Sequence, residues 1–337
     1  MCLGILYMLV LAPLSAPDEV SHYISAYELS NRFLGLPGTD EDGYIYIRAE
    51  DDWIEDVNQE FRDWKEKSEQ ESLNGENGET EAGKPIILGQ TLKEETYAAI
   101  HDGGAVSDQS AEQSVAGESA GNSGKTAGLR VSRQPSVRTT PLAYVPQALG
   151  FTLARVLGLN SIALLYLGRF LNLLLFAAVG VLTIKRLPFG KNVFFGVSIL
   201  PMSLHLAASL SYDVVLLAFT GYFTAVCLDL AYKADTVKVK DVIALAVVMA
   251  VMGPCKMVYG AIAGFCLLIP VKKFGNWGKW TVSAAAVLGS FLAAMAVVNL
   301  RTVAMYTQES DSYVAWAEEA GYSFAELIHQ PVRVLQL

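Results

Sequence analysis

An all-α integral membrane protein of about seven spans, with a large extracytoplasmic first loop carrying short surface helices, is the fold class this sequence predicts. Three observations predict it. Of the 337 residues 52% are hydrophobic and the mean hydropathy is +0.33, and the apolar residues come in near-continuous blocks of membrane-spanning length. The short loops 185–191, 231–240 and 271–279 each carry three Lys or Arg, which assigns all of them to the cytoplasmic side. The block 241–270 is interrupted at Gly253–Pro254, where proline removes a helical hydrogen bond and clashes with the preceding turn. Two short spans meeting there in a sharp turn keep the third basic loop on the same side as the others.

The elements follow in order. Residues 1–14 form the first transmembrane segment, with the N-terminus cytoplasmic. MCLGILYMLVLAPL is short for a span and lacks a charged leader region or cleavage site, so the helix is expected to extend into APDE or to have lost upstream residues. Residues 15–160 make the extracytoplasmic loop. Its start, VSHYISAYELSNRF, has the spacing of a short amphipathic helix with Tyr23, Tyr27 and Ser30 on one face. Residues 40–80 suggest a second, acidic surface helix around Trp53, Ile54, Val57, Phe61 and Trp64. The stretch 101–136 is rich in Gly, Ser, Gln and Ala, which predicts a disordered, flexible insert. Order is expected to resume at TTPLAYVPQALGFTLARVLGL, a membrane-surface helix with Leu149, Leu153 and Val156 on one stripe. The bundle 161–300 supplies the remaining spans at 161–184, 192–211, 213–230, the two halves of 241–270, and 281–300. The extracytoplasmic tail 301–337 has helical spacing at 313–328.

Charge is distributed locally. Residues 40–120 hold 22 Asp and Glu against six Lys and Arg, a balance of −16 within a chain whose total is −9. No basic aromatic surface appears, which excludes a nucleic-acid partner. The four cysteines form no CxxC pair and lie in or beside apolar segments, where a thiol behaves as a small hydrophobe. The absence of a Walker motif, a nucleotide glycine loop, a nucleophile elbow and HExxH leaves no basis for a nucleotide cofactor or serine hydrolysis.

The polar residues that carry chemistry gather at the non-cytoplasmic edges of the spans. Asp18 and Glu19 follow the first segment directly, and such carboxylates require water, a metal or a partner. In a helix over 17–30, Asp18 and His22 share a face while Glu19 turns about 100° away. The trio suits a general base with an orienting imidazole, a metal-binding pair, or simply a solvated helix start. Asp213 begins a span beside Ser209, Ser211 and Tyr212. Lys256 is the exception to the positive-inside pattern and fits either a phosphate contact beside a broken helix or an ammonium reaching the headgroups. Arg169 lies eight residues into its span and needs an anion or a carboxylate partner. His205 reads as a packed histidine, and His101 falls in the flexible insert.

SAPDEVSHYISAYELSNRFLG, PLAYVPQALG, YLGRFLN, LPMSLHLAASLSYD and GPCKMVYGAIAGFCLLIP occur in an order that resembles the DUF2142 family of predicted bacterial membrane proteins; PDExxH with AASxSYD downstream is the specific part. That family in turn resembles the GT-C type integral-membrane glycosyltransferases, which use polyprenyl-phosphate sugar donors. The resemblance implies a GT-C-like helical bundle in the bacterial cytoplasmic membrane and a cell-envelope glycan or lipid acceptor. It implies Asp18 or Glu19 as the catalytic carboxylate or as a contact to a divalent metal (Mg or Mn). Lys256 and Arg169 would then lie near the lipid phosphate. Relatives continue into further spans beyond HQPVRVLQL, which implies either a partial chain here or a donor cavity supplied in part otherwise. Two other functions fit the same residues: a transporter or export component for a lipid-linked or cell-envelope polymer, and a non-catalytic membrane scaffold.

Overall fold

The computed structural model describes residues 1–16, 18–54, 129–135, 140–307, 313–314 and 319–320. Among them the structure is mostly helical, and it divides into two units, Met1–Lys233 and Ala234–Leu337.

The first unit begins with helix α1 (Cys2–Val10) and a turn in which Leu14 and Asp18 both have φ of 55°. Helix α2 (Glu19–Phe33) buries Tyr23, Ile24, Ala26 and Tyr27. Strand β1 (Tyr44–Arg48) turns Ile45 and Ile47 inward with the two-residue period of a half-buried strand. It pairs antiparallel with β2 (Leu129–Pro135), Tyr46 opposite Val131 and Ile47 opposite Arg130. β2 lies inside the stretch expected to be a flexible excursion; partnering on β1 supplies an ordering that composition does not reveal. Trp53 and Ile54, expected on a surface helix, are buried, and Val57, Phe61, Trp64 and His101 fall outside the described residues.

A 3₁₀ turn, Pro141–Tyr144, leads into α3 (Val145–Val156) with Pro146 in its first turn, where a missing N–H costs nothing. Its predicted stripe Leu149, Leu153 and Val156 is exposed, while Gln147, Ala148, Phe151 and Ala154 face inward. Helix α4 (Ser161–Arg186) starts under an Asn160 side-chain cap to the Ala163 amide at 2.9 Å. It crosses α3 closely. A Cβ on Gly150 would sit 2.6 Å from the Leu167 carbonyl oxygen, and one on Gly168 only 2.4 Å from the Phe151 ring. The apolar run 192–211 does not form one helix. It is α5 (Lys191–Ser198) and α6 (Pro201–Ala207), because Pro201 forces Leu200 into extended backbone, with ψ of 144°. Helix α7 (Asp213–Leu228) packs on α4 and continues through a π turn to Lys233.

In the second unit α8 (Val239–Cys255) carries Pro254 in its final turn. The chain direction changes at Lys256, whose φ of −152° is extended, and a 3₁₀ helix follows at Met257–Leu268. Pro254 has no N–H to give the carbonyl one turn back, and the helix stops at the next residue, so the break expected beside Gly253–Pro254 is present. Helix α9 (Trp277–Thr307) packs along α8. Beyond it Tyr313–Val314 pairs antiparallel with Glu319–Ala320, where the sequence suggested helix over 313–328.

Among the described residues three helical stretches are long and apolar enough to cross a membrane: Ser161–Arg186, Asp213–Lys233 and Trp277–Val298. The other predicted spans fall on shorter helices, α1 among them with nine residues. Within each unit the basic loops make local contacts. In the first unit Arg186 pairs with Asp229 at 3.0 Å and Phe189 meets the Tyr232 ring at 5.4 Å, joining loop 185–191 to the end of α7. In the second unit the Val237 amide donates to the Lys273 carbonyl at 2.9 Å, and Lys273 Nζ donates to the Ala234 carbonyl at 2.8 Å. Both ends of the 241–270 excursion are thereby held together.

Candidate functional site at the start of helix α2

The site is assembled on the first unit, at the end of α4 remote from its basic loop. Arg169 and Arg186 are 17 residues apart on one helix, a rise of about 26 Å, close to the thickness of a hydrocarbon core.

At its centre is a buried ion pair. Arg169 and Glu19 have no exposed side-chain surface. Arg169 donates from Nε to Glu19 Oε1 at 2.9 Å and from Nη2 to Oε2 at 2.6 Å, the forked geometry that guanidinium offers a carboxylate. Its remaining donors reach the carbonyls of Leu11 at 2.8 Å and Ala12 at 2.8 Å. Glu19 also accepts the amides of Leu210 at 3.0 Å and Ala16 at 3.2 Å. The 11–19 turn, α4 and the loop before α7 thus converge on one pair. Of the alternatives left open for Arg169, the structure places it against a carboxylate.

A neutral amide layer lies one turn along α4. Asn172 donates to the carbonyls of Ser209 at 2.8 Å and Ser211 at 3.0 Å, and Gln147 Nε2 donates to Asn172 Oδ1 at 3.0 Å and the Leu210 carbonyl at 3.2 Å. These two residues shape the 209–211 loop and were not singled out as site residues from sequence. For Asn172 the signal was its spacing three residues after Arg169, on the same helix face.

Asp18 differs from its neighbour. It precedes the first turn of α2 in left-handed backbone, with φ of 55° and ψ of 15°, and it is exposed. The helix starts at Glu19, so Asp18 occupies the N-cap position without making the side-chain cap bond. Left-handed backbone costs a non-glycine residue about 1–2 kcal/mol. Such strain persists only where surrounding contacts over-determine it, and here the adjacent Glu19 clamp does so.

His22 is buried one turn on, its amide bonded to the Asp18 carbonyl at 3.1 Å. Its Nδ1 lies 2.8 Å from the Tyr144 hydroxyl. Tyr212 stands edge-on to the imidazole with centroids 5.4 Å apart, and Tyr144 and Tyr212 are 5.5 Å apart. Tyr212 and Asp213 are half-buried at the start of α7, and the Asp213 amide donates to Ser211 Oγ at 3.2 Å. His205 is half-buried on α6, and Lys256 is half-buried at the end of α8 in the second unit.

Outside this cluster a second network fixes α2. Tyr27 donates to Asp51 Oδ2 at 2.6 Å, Arg48 Nε donates to the same oxygen at 2.7 Å, and the Arg155 guanidinium lies 4.6 Å from the Tyr27 ring centre. Burial, reinforced by Asp51, pushes the Tyr27 phenol above its ordinary range, and burial lowers Arg155.

Of the two carboxylates expected to contact a metal, Asp18 is the exposed one. Glu19 is already saturated by Arg169 and two amides, and among the described residues no group of three or more His, Cys, Asp or Glu is placed to hold an ion.

The whole chain, residues 1–337, matches the family model described as "Predicted membrane protein (DUF2142)". No curated protein and no solved structure matches it.

Proposed function

We propose that this chain, which belongs to the DUF2142 family of predicted membrane proteins, is a membrane glycosyltransferase that moves a sugar from a polyprenyl-phosphate donor to a cell-envelope acceptor on the non-cytoplasmic side. Asp18 is the general base. The observation that carries this assignment is the contrast between two adjacent carboxylates. Glu19 is buried and bound on both oxygens, whereas Asp18 is exposed, strained and held in place by its neighbour.

In the step proposed, the acceptor hydroxyl attacks the anomeric carbon. The new C–O bond forms as the bond to the polyprenyl-phosphate oxygen breaks, and the hydroxyl proton passes to the Asp18 carboxylate. Phosphate leaves as a stable anion, so a single base suffices without the acid–base pair that an ordinary glycoside demands. Glu19 and Arg169 are positioning residues that hold the 11–19 turn. No metal takes part in the step as written.

The sidedness rests on the basic loops at the far end of α4. The test is reconstitution in vesicles with radiolabelled polyprenyl-phosphate sugars and an envelope-lipid acceptor. Asp18→Asn is expected to lose on the order of 10²–10⁴ in turnover while inserting normally. Wild-type transfer by that variant removes Asp18 from the mechanism. Movement of the labelled lipid across the bilayer by wild type, without sugar transfer, favours a transporter instead.

A further inference from the structure

We infer that α3 and the 3₁₀ turn before it form a re-entrant element sunk into the leaflet remote from loop 185–191, with Leu149, Leu153 and Val156 against lipid acyl chains. The inference goes beyond the transferase reading and holds whatever reaction the site performs.

The depth comes from α4. Two contacts set the register of α3 against it: Gly150 lies against Leu167 and Gly168, and Gln147 Nε2 donates to Asn172 Oδ1 at 3.0 Å. Moving back along α3 therefore moves forward along α4. The two helices run antiparallel, as the short connection 157–160 requires. Asn172 stands 14 residues before Arg186 on α4, a rise of about 21 Å. With the basic end of α4 at one boundary of a hydrocarbon core of about 30 Å, the start of α3 lies roughly 9 Å inside the other. The chain must dip into the bilayer to reach Pro141 and climb out along α3. Leu149 and Val156 differ by about 10 Å of helical rise, so the stripe runs from acyl depth to the headgroups.

For a helix in water α3 is turned inside out. Its exposed residues are Leu149, Leu153 and Val156, with 49%, 45% and 66% of their surface open. Every polar side chain it carries meets a neighbouring element instead. Gln147 bonds to α4, Thr152 Oγ1 lies 3.0 Å from Ser30 Oγ, and Arg155 donates to Ser30 Oγ at 3.1 Å and Asn31 Oδ1 at 2.7 Å on α2. A helix lying flat at the interface directs its cations to water and headgroups, whereas Arg155 turns onto protein. The backbone of the turn suits lipid as well. Pro141 and Pro146 have no amide to leave without an acceptor, and the Leu142 amide donates to Thr140 Oγ1 at 3.4 Å. Two residues past Asn172, α4 exposes Leu174. The apolar surface of α3 thus shares its level with the exposed surface of a candidate membrane span, which selects acyl chains over a second copy of this chain as the occupant.

Spin labels on the full chain in phospholipid nanodiscs test this. Cys2, Cys255 and Cys266 are changed to serine and Cys227 to alanine. A nitroxide is then placed through Leu149→Cys, Leu153→Cys or Val156→Cys in separate variants, with Val181→Cys on α4 and the exposed Asp42→Cys as references. Power-saturation EPR compares collisions with oxygen, which concentrates in lipid, and with a water-soluble nickel chelate. The label at 149 is expected to meet oxygen severalfold more often than nickel, as the label at 181 does. The ratio should fall from 149 through 153 to 156, toward its value at 42. Three positions keep the test decisive if one variant fails to insert. The inference is overturned if nickel reaches the stripe as readily as position 42, or if its labels report one common depth, as a helix lying flat would give. Shielding of the stripe from both reagents overturns it too, and spin–spin broadening would then identify a second copy as the cover.

Discussion

Replacing Arg169 by alanine should be among the most damaging single changes in the first unit, and the structure sets the size of the effect. The substitution strands the Glu19 carboxylate in a place with no exposed surface, leaving it only the Ala16 and Leu210 amides. It also removes the donors that serve the Leu11 and Ala12 carbonyls. Breaking a buried pair by deleting one member costs about 3–5 kcal/mol. For a unit of this length, that lowers the melting temperature by roughly 6–20 °C. Glu19→Gln should fall at the lower edge of that range, because the carbonyl bonds of Arg169 survive. The double variant Glu19→Leu/Arg169→Met removes both charges together and should recover most of the loss. Cys227, fully buried on α7, is a suitable reporter. With Cys2, Cys255 and Cys266 changed to serine, its reaction with a fluorogenic maleimide follows unfolding in detergent. If Arg169→Ala melts within about 2 °C of the parent, or the double variant is no better than the single one, the pair does not hold the turn as described.

Three further substitutions carry expectations of their own. Asp18→Gly relieves the left-handed backbone and should raise stability by about 1 kcal/mol while abolishing transfer; melting and turnover measured on one preparation will show the two effects diverge. Tyr23→Phe deletes a buried hydroxyl that has no partner among the described residues, so its melting temperature should equal or exceed that of wild type. The same residue bears on alkaline stability. Burial above all, then Asp51, holds the Tyr23 and Tyr27 phenols above their ordinary value of 10.0, so the folded state keeps protons the unfolded chain has released. Stability is therefore complete below about pH 10 and declines above it, and Tyr23→Phe should soften the decline in melting curves taken across that range. Gly150→Ala pushes a methyl against the α4 backbone, 2.6 Å from the Leu167 carbonyl oxygen, and should cost about 1–3 kcal/mol by thermal unfolding.

Much of the helical character was legible because apolar length and basic loops are local properties. The long helix α4, the candidate span beginning at Asp213 and the one beginning at Trp277 all coincide with predicted segments. Proline proved harder to read. Pro254 lies in the last turn of α8, where a break was expected, whereas Pro201 divides an apolar run that looked continuous; it does so from the first turn of α6, the position a helix tolerates. β2 was missed because its order comes from a partner some eighty residues earlier in the chain. At the site, sequence identified Asp18, Glu19 and Arg169 as residues needing an explanation. It could not divide labour between the two carboxylates, since the division depends on a helix starting at Glu19 and on an arginine 150 residues away. Tyr144 and Gln147 carried no periodic signal and gain meaning only from what they touch.

The stitching of Val237 and Ala234 to Lys273 has a consequence for biogenesis. An excursion whose entrance and exit are tied together contributes nothing to the sidedness of whatever follows it. Excising 241–270 should leave the next helix inserted in its original direction, whereas deleting a single traverse such as α4 would invert everything downstream. The hairpin can therefore lengthen, shorten or change its chemistry over evolution without turning the rest of the molecule inside out.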